Sequence, residues 1–183
     1  INEKHCNPAP VTLNEINLIT VGRVIPWKSQ LELIKILESD GIFKKINKYW
    51  LVGGRKNADK NYLKDLESFI RKANLNTKVS IVDFETDISD YYKKSSICLI
   101  GSKNEPFGRV LIEAGYYGVA VIARNSGAFP ELINDRSNGL LWSGKPEDLI
   151  ERINLIIDDS NMRIGLGQRL RQDVLSKYSS ENY

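Results

Sequence analysis

The fold is indicated most clearly by residues 97–123, which read ICLIGSKNEPFGRVLIEAGYYGVAVIA. The apolar run Ile97–Ile100 has the length and composition of a buried strand. After a loop interrupted by Pro106, residues 110–117 show the apolar spacing of a helix, and a second apolar run follows at 119–123. A strand, a helix and a strand in this order form a βαβ unit, whose two strands are parallel.

The same alternation of strands and helices continues on both sides of this unit. Further strands are predicted at 17–21, 49–52, 79–82 and 139–142. Helices are predicted at 30–37, 62–73, 88–92, 129–133, 149–157 and 162–178. The strands are short and rich in Val, Ile and Leu, as in sheets that are covered on both faces. We therefore predict an α/β fold, a Rossmann-like doubly wound parallel sheet of about six strands.

One domain accounts for most of the chain. The length of 183 residues suits a single domain with a small addition. Residues 1–16 contain Asn, Pro and Glu without periodicity and are interpreted as a linker or lead-in. Residues 17–160 form the predicted domain, and residues 161–183 form a C-terminal helix. Because the first residue is Ile and no secretory signal pattern is present, we expect a piece of a longer protein.

Composition argues against several functional classes. The hydrophobic fraction of 42% and the charged fraction of 27% are those of a globular protein. A net charge of +3 is too small to indicate nucleic-acid binding, and no apolar run approaches the length of a membrane span. Cys98 is expected to be a buried core thiol, and with the distant Cys6 it forms neither a disulfide framework nor a metal site. His5 is the only histidine, which argues against a His-based catalytic triad.

A candidate anion site lies where the loop after Ile100 leads into the next helix. The first N–H groups of this helix, at about residues 107–110, have no partner within it, and Gly108 keeps the approach open. Glu105 precedes the helix, and Glu113 lies about two turns into it. Two carboxylates beside a phosphate site would bind hydroxyl groups, one of a sugar and the other of a ribose. The residues alone leave open that Glu105 is only a favourable acid at a helix start and Glu113 only a solvated position.

A second candidate site follows the first predicted strand. Gly22 ends this strand, and Arg23 and Lys28 bracket the loop before the next helix. Two cations can neutralise a diphosphate, Arg through a bidentate contact and Lys as a point charge. Two ordinary surface cations would give the same pattern. Neither the phosphate-loop sequence G-x-x-x-x-G-K-[ST] nor the dinucleotide sequence G-x-G-x-x-G follows the strand, which argues against a nicotinamide-dependent oxidoreductase.

In combination, these residues resemble glycosyltransferase family 4, the large retaining group 1 family with the GT-B fold. The segment Glu105-Pro106-Phe107-Gly108, with Glu113 eight positions after Glu105, is similar to the signature of that family. Further segments match in the same order: Gly22-Arg23 with Lys28, 51–54, Ser102, 118–122, 126–131 and 138–141. The resemblance covers roughly residues 17–160 and corresponds to the C-terminal, nucleotide-sugar-binding half of such enzymes. The N-terminal half, which holds the acceptor, is expected to lie outside this chain.

The resemblance implies a role for each candidate residue. The donor diphosphate would be held by Arg23, Lys28, Gly108, Arg109 and Val110. The transferred sugar would be bound by Glu105, the catalytic residue, with Phe107 and Gly108 beside it. The ribose would be held by Glu113, and the base would be bordered by main chain near Asp83 and Phe84. Three positions depart from the family pattern: Asp83 and Ser29 stand where Gly is common, and Arg109 stands where an apolar residue is common.

The implied reaction transfers a hexosyl group from a UDP- or GDP-sugar to a glycan or lipid-linked acceptor, as in polysaccharide biosynthesis, with retention of configuration. No cofactor or metal is expected, because N–H groups, Arg and Lys would stabilise the departing diphosphate. The alternative is a non-catalytic domain that binds a sugar nucleotide.

The implied partners are the nucleotide sugar and an N-terminal acceptor domain, without which we expect no transfer. The final helix would pack towards that domain, leaving Leu170 and Val174 partly exposed here. The expected location is the cytoplasm, with peripheral association of the full enzyme at the inner face of the cell membrane.

Overall fold

The computed structural model describes residues 15–83 and 87–178. Within these ranges the strands are β1 (Asn17–Val21), β2 (Lys48–Val52), β3 (Val79–Val82), β4 (Ile97–Ile100), β5 (Ala120–Arg124) and β6 (Leu140–Trp142). The helices are α1 (Gln30–Ser39), α2 (Lys60–Lys72), α3 (Ser89–Lys93), α4 (Arg109–Tyr116), α5 (Phe129–Leu132), α6 (Pro146–Asp158) and α7 (Ser160–Tyr178). Short 3-10 helices lie at Pro26–Lys28 and Ile42–Lys44.

All strand pairs are parallel, and the six-stranded sheet has the spatial order β3-β2-β1-β4-β5-β6. This order confirms the predicted doubly wound, Rossmann-like sheet. After β3 the chain crosses back and continues on the other side of β1, so β1 and β4 flank the switch point of the topology. The connections that leave these two strands turn to opposite faces of the sheet. A crevice therefore opens at their carboxyl ends.

Apolar side chains fill both faces of the sheet. Leu18 in β1 belongs to a layer that includes Leu33 of α1 and Leu149 of α6. The next residue, Ile19, belongs to the opposite layer, which includes Leu170 of α7. Because both faces are covered, each central strand is apolar at almost every position, which is why the strands could be predicted from short apolar runs. Cys98 in β4 is a buried free thiol, as expected.

The last helix packs closely on this same domain, so the expected exposure of two of its residues is wrong. Leu170 and Val174 are only 2% and 4% exposed. Gly115 in α4 makes this possible, because a Cβ atom there would lie 2.9 Å from Leu170 Cγ and 2.8 Å from Val174 Cγ2. Gly167 likewise brings α7 against the backbone of Gly118. Side chains that we expected to meet another domain are thus part of this core.

No helix in the described part of the chain is long and apolar enough to cross a membrane.

Candidate functional site

A cleft of about 630 Å³ lies at the carboxyl ends of β1 and β2, beside the start of α4. This volume is in the range of small-molecule sites, and the position is the one at which doubly wound sheets bind ligands. Of the residues predicted for the site, the structure brings the following to its wall: Arg23, Lys28, Glu105, Arg109, Val110 and Glu113. Residues from two separate sequence motifs therefore face one cavity.

Lys28 and Glu105 form an ion pair at the wall of the cleft. The distance from Lys28 Nζ to Glu105 Oε2 is 2.5 Å, and both side chains are only 12% exposed. Gly22 allows this position, because its missing Cβ would lie 3.2 Å from Lys28 Cε. The Lys28 ammonium also lies 4.5 Å from the centre of the Trp27 ring. Lys28 is thus held by a carboxylate and an aromatic face.

The turn after Lys28 explains how Ser29 replaces the more usual glycine. Ser29 has a φ of 60°, in the left-handed region, and its N–H donates to Pro26 O at 3.0 Å. This is a conformation that glycine adopts most readily but that other residues can adopt at a modest cost. The substitution therefore keeps the backbone geometry that presents Lys28.

Glu105 is fixed by the loop after β5. The N–H of Ala128 donates to Glu105 O at 2.8 Å, and Ser126 Oγ donates to Ser102 O at 3.0 Å. Gly127, with a φ of 58°, lies so close that a Cβ atom would stand 2.6 Å from Glu105 N. The segment 126–128, which the sequence offered only as part of the resemblance, therefore sets the position of the Glu105 backbone.

The start of α4 presents unpaired N–H groups to the cleft. Gly108 caps the helix in the left-handed conformation, with a φ of 64°, and its carbonyl accepts from the N–H of Leu111 at 2.9 Å. Within the described residues the N–H groups of Arg109 and Val110 have no backbone acceptor. Together with the helix dipole, such groups favour an anion. Both residues line the cleft, as expected for a diphosphate contact.

Phe107 and Gly108 lie at the edge of this arrangement. Neither lines the cleft, the Phe107 side chain is 74% exposed, and Gly108 is buried with Leu132 beside it. The cleft wall therefore gives no support for their predicted contact with the sugar. Gly108 acts on the site through the backbone turn that starts α4.

Glu113 also lines the cleft, and its side chain is hydrogen-bonded to a tyrosine. The hydroxyl of Tyr92 in α3 donates to Glu113 Oε2 at 3.0 Å. The Tyr92 ring stacks on Tyr117, with centroids 5.2 Å apart and planes inclined by 10°. Burial, together with the nearby Glu113 carboxylate, raises the pKa of Tyr92 well above its usual value. Tyr92 therefore remains a neutral hydrogen-bond donor at physiological pH.

Arg23 and Arg109 leave positive charge available at the cleft. Both side chains are exposed, and neither guanidinium has an ion-pair or hydrogen-bond partner among the described residues. The backbone of Arg23 is held, since its carbonyl accepts from Gln30 Nε2 at 2.7 Å. Because Lys28 is already paired with Glu105, these two arginines are the cations most free to meet a phosphate.

Of the two residues predicted to border a base, only Asp83 lies within the described part of the chain. Asp83 does not line the cleft, and its Oδ1 accepts instead from the N–H of Arg55 at 2.6 Å. Phe84 lies outside the described residues. The wall on this side is formed by Asn57 and by 87–89, none of which the sequence indicated. The Asp87 carboxylate accepts from the N–H of Ser89 at 2.8 Å and so forms a local turn at the start of α3. An Asp before a helix is a recognisable sign of a helix start, but it does not indicate that the residue faces a cleft.

No group of three or more His, Cys, Asp or Glu side chains that could hold a metal ion occurs in residues 15–83 and 87–178.

Several known proteins with a similar sequence or fold are named as glycosyltransferases. The capsular polysaccharide biosynthesis glycosyltransferase CapM of Staphylococcus aureus is 28% identical over 165 residues, which are 88% of this chain and 42% of CapM. The crystal structure of Anabaena Alr3699/HepE in complex with UDP and glucose has a TM-score of 0.82 at 27% identity, covering 90% of this chain and 45% of that one. The C-terminal domain of the group 1 family glycosyl transferase LpcC from Francisella tularensis has a TM-score of 0.80 at 26% identity, covering 90% and 87%.

This chain spans less than half the length of the curated relatives that it matches. The family described as "Glycosyl transferases group 1" matches residues 3–173. The chain belongs to the group 1 glycosyl transferases.

Proposed function

We propose that this chain is the nucleotide-sugar-binding half of a retaining glycosyltransferase that transfers a hexosyl group from a UDP- or GDP-sugar to a glycan or lipid-linked acceptor. The observation that carries the proposal is the convergence of Arg23, Lys28 and Arg109 with Glu105 and Glu113 in one cleft. Cations and carboxylates in one small site suit a ligand that has both phosphates and hydroxyl groups. A nucleotide sugar is such a ligand.

The positive side of the cleft would hold the diphosphate. The guanidinium groups of Arg23 and Arg109 have no partner among the described residues, and Arg109 and Val110, whose N–H groups begin α4, line the same cleft. As the bond between sugar and phosphate breaks, negative charge grows on the diphosphate, and prearranged donors stabilise that charge. These groups would do the work for which other enzymes use a metal ion.

Glu105 and Glu113 would bind the two sugar units of the donor. Glu105 is anchored beside Lys28, so a sugar whose hydroxyls reach its carboxylate would have its phosphate near the lysine. Glu113 also lines the cleft, hydrogen-bonded to Tyr92, and the ribose would sit beside it. UDP in the related Anabaena Alr3699/HepE structure supports a uridine nucleotide for this chain.

Transfer would require an acceptor on the open side of this cleft. Positioning two reactants can lower a reaction barrier by about 7–11 kcal/mol. A chain that binds only the donor would lack most of this contribution. We therefore propose that a second domain of the same protein binds the acceptor, and that this chain alone binds the donor without transferring its sugar. A turnover comparison with the intact protein tests this point, and equal turnover by the chain alone would contradict it.

Calorimetric titration with UDP, GDP, ADP and NAD⁺ tests the donor site. UDP or GDP is expected to bind, with a dissociation constant in the high micromolar to millimolar range, and NAD⁺ is not. Arg23→Ala should weaken that binding, whereas Lys56→Ala, at an exposed lysine that does not line the cleft, should not. Binding of NAD⁺ in preference to the others, or no binding of any nucleotide at millimolar concentration, would overturn the proposal.

A further inference from the structure

A buried tyrosine holds one oxygen of the carboxylate assigned to the ribose. Tyr92 is only 1% exposed, and its hydroxyl donates to Glu113 Oε2 at 3.0 Å. Among the described residues, this hydroxyl has no other hydrogen-bond partner. A buried hydroxyl without an acceptor is costly, so the Tyr92 hydroxyl favours the one Glu113 rotamer that satisfies it.

The tyrosine is itself held in place. Tyr92 belongs to α3, whereas Glu113 belongs to α4, and Tyr117 directly follows the last residue of α4. The Tyr92 ring stacks on the Tyr117 ring at 5.2 Å, and both rings line the cleft with Glu113. Stacking of this kind restricts the ring to one orientation and so restricts the direction in which its hydroxyl points.

The second oxygen of Glu113 remains available. Glu113 Oε1 accepts no hydrogen bond from the described residues, and the side chain is half-buried at the cleft wall. A carboxylate whose position is already fixed loses less conformational freedom when it binds a ligand than a mobile one does.

We propose that Tyr92 is a positioning residue that fixes the Glu113 carboxylate so that Oε1 accepts from the 2′- and 3′-hydroxyls of the donor ribose. This inference rests on the proposed function, in which Glu113 binds the ribose. It assigns to Tyr92 a specific effect on the recognition of ribose hydroxyls. It assigns no effect on the diphosphate, which in the proposed function is held by Arg23 and Arg109.

A comparison of UDP with 2′,3′-dideoxy-UDP separates this role from a general structural one. Tyr92→Phe removes the hydroxyl and keeps the stacked ring. We expect it to weaken UDP binding about tenfold, as for the loss of a hydrogen bond to a charged group, and to leave dideoxy-UDP binding within about twofold. Tyr91→Phe is the matched control, since Tyr91 is the adjacent residue of α3 and does not line the cleft.

A double-mutant cycle completes the experiment. In a Glu113→Ala background, where Tyr92 has no carboxylate to position, Tyr92→Phe should weaken UDP binding by less than about threefold further. Equal weakening of UDP and dideoxy-UDP by Tyr92→Phe, or full additivity with Glu113→Ala, would overturn the positioning role.

The two proposals fail in different ways. If the wild-type chain binds neither UDP nor GDP, the proposed function fails and the role of Tyr92 fails with it. If UDP binds and Tyr92→Phe binds it equally well, only the role of Tyr92 fails. Thermal unfolding of each variant shows whether it is folded, and Glu113→Gln, which keeps an acceptor for Tyr92, measures the ribose contact should Tyr92→Phe not fold.

Discussion

Lys28 and Glu105, which are 77 positions apart in the sequence, form a 2.5 Å ion pair at the wall of the cleft. The residue proposed to contact the diphosphate, Lys28, is therefore bonded directly to the residue proposed to contact the sugar, Glu105. A nucleotide sugar would have to share both partners, with its phosphate at the lysine and its hydroxyls at the carboxylate. The two residues would then contact the donor on either side of the bond between sugar and phosphate, the bond that breaks in the reaction.

Replacing Lys28 should weaken nucleotide binding through the phosphates. Lys28→Gln keeps a hydrogen-bond donor for Glu105 but removes the charge, so we expect UDP affinity to fall about tenfold to a hundredfold. Uridine, which has no phosphate, should bind equally to the wild type and the variant. Calorimetry with the two ligands measures the difference. Lys103→Gln, at a nearby lysine that pairs with Glu32 at 3.9 Å, is the control and should leave both affinities unchanged.

Replacing Glu105 should impair transfer without weakening nucleotide binding. Glu105→Gln removes a charged acceptor for sugar hydroxyls, a loss of about 1.5–3 kcal/mol, which corresponds to a fall in kcat/KM of about 10- to 150-fold. UDP affinity should stay equal or rise, because Lys28 is released from its ion pair. Kinetics of the intact transferase and calorimetry of the variant check both parts. Wild-type turnover in the variant would contradict the role of Glu105.

A methyl group at Gly127 should displace Glu105. Gly127→Ala adds a Cβ atom 2.6 Å from Glu105 N in a residue with a φ of 58°, so both strain and a backbone clash arise. Gly41→Ala is a matched control, because Gly41 has a φ of 68° but its nearest neighbour would be Lys44 Cδ at 3.9 Å. Gly41→Ala should lower the free energy of unfolding only by the cost of a left-handed backbone conformation, about 1–2 kcal/mol. Chemical denaturation should show a larger loss for Gly127→Ala, and an equal loss would contradict the clash.

Nucleotide binding should not require a divalent cation. In the proposed site the charge of the diphosphate is met by Arg23, Lys28, Arg109 and the N–H groups of α4. The dissociation constant of UDP should therefore agree within about threefold between buffers that contain Mg²⁺ and buffers that contain EDTA. Binding seen only with Mg²⁺ would show that the cations of the cleft are not sufficient.

Truncation of α7 side chains should show that this helix belongs to the domain core. Leu170→Ala removes a side chain that is 2% exposed and packs against Gly115, so we expect a loss of about 2–5 kcal/mol in the free energy of unfolding. Leu175→Ala, in the same helix at 40% exposure, should change the free energy by less than about 0.5 kcal/mol. Urea denaturation measures both. Equal effects would mean that α7 is not packed as the structure has it.

Local sequence patterns were sufficient to predict the strands and helices of the fold. The apolar run Ile97–Ile100 and the spacing over 110–117 predicted β4 and α4 to within one or two residues. The segments that follow parallel strands lie at one edge of a sheet, and both Lys28 and Glu105 are in such segments. The structure has both residues at the wall of the cleft.

Local sequence patterns were thus enough to establish the doubly wound sheet and most of the charged residues at its cleft, though not Asp87. Which side chains meet depends instead on how the elements pack: Lys28 with Glu105, Tyr92 with Glu113, and Leu170 with Gly115. Each of these contacts joins two different elements across at least 21 positions of sequence. The reason is physical. Periodicity depends on hydrogen bonds and burial within one element, whereas a pairing depends on how closely two elements approach, and that distance is set by glycines and side-chain volumes in both.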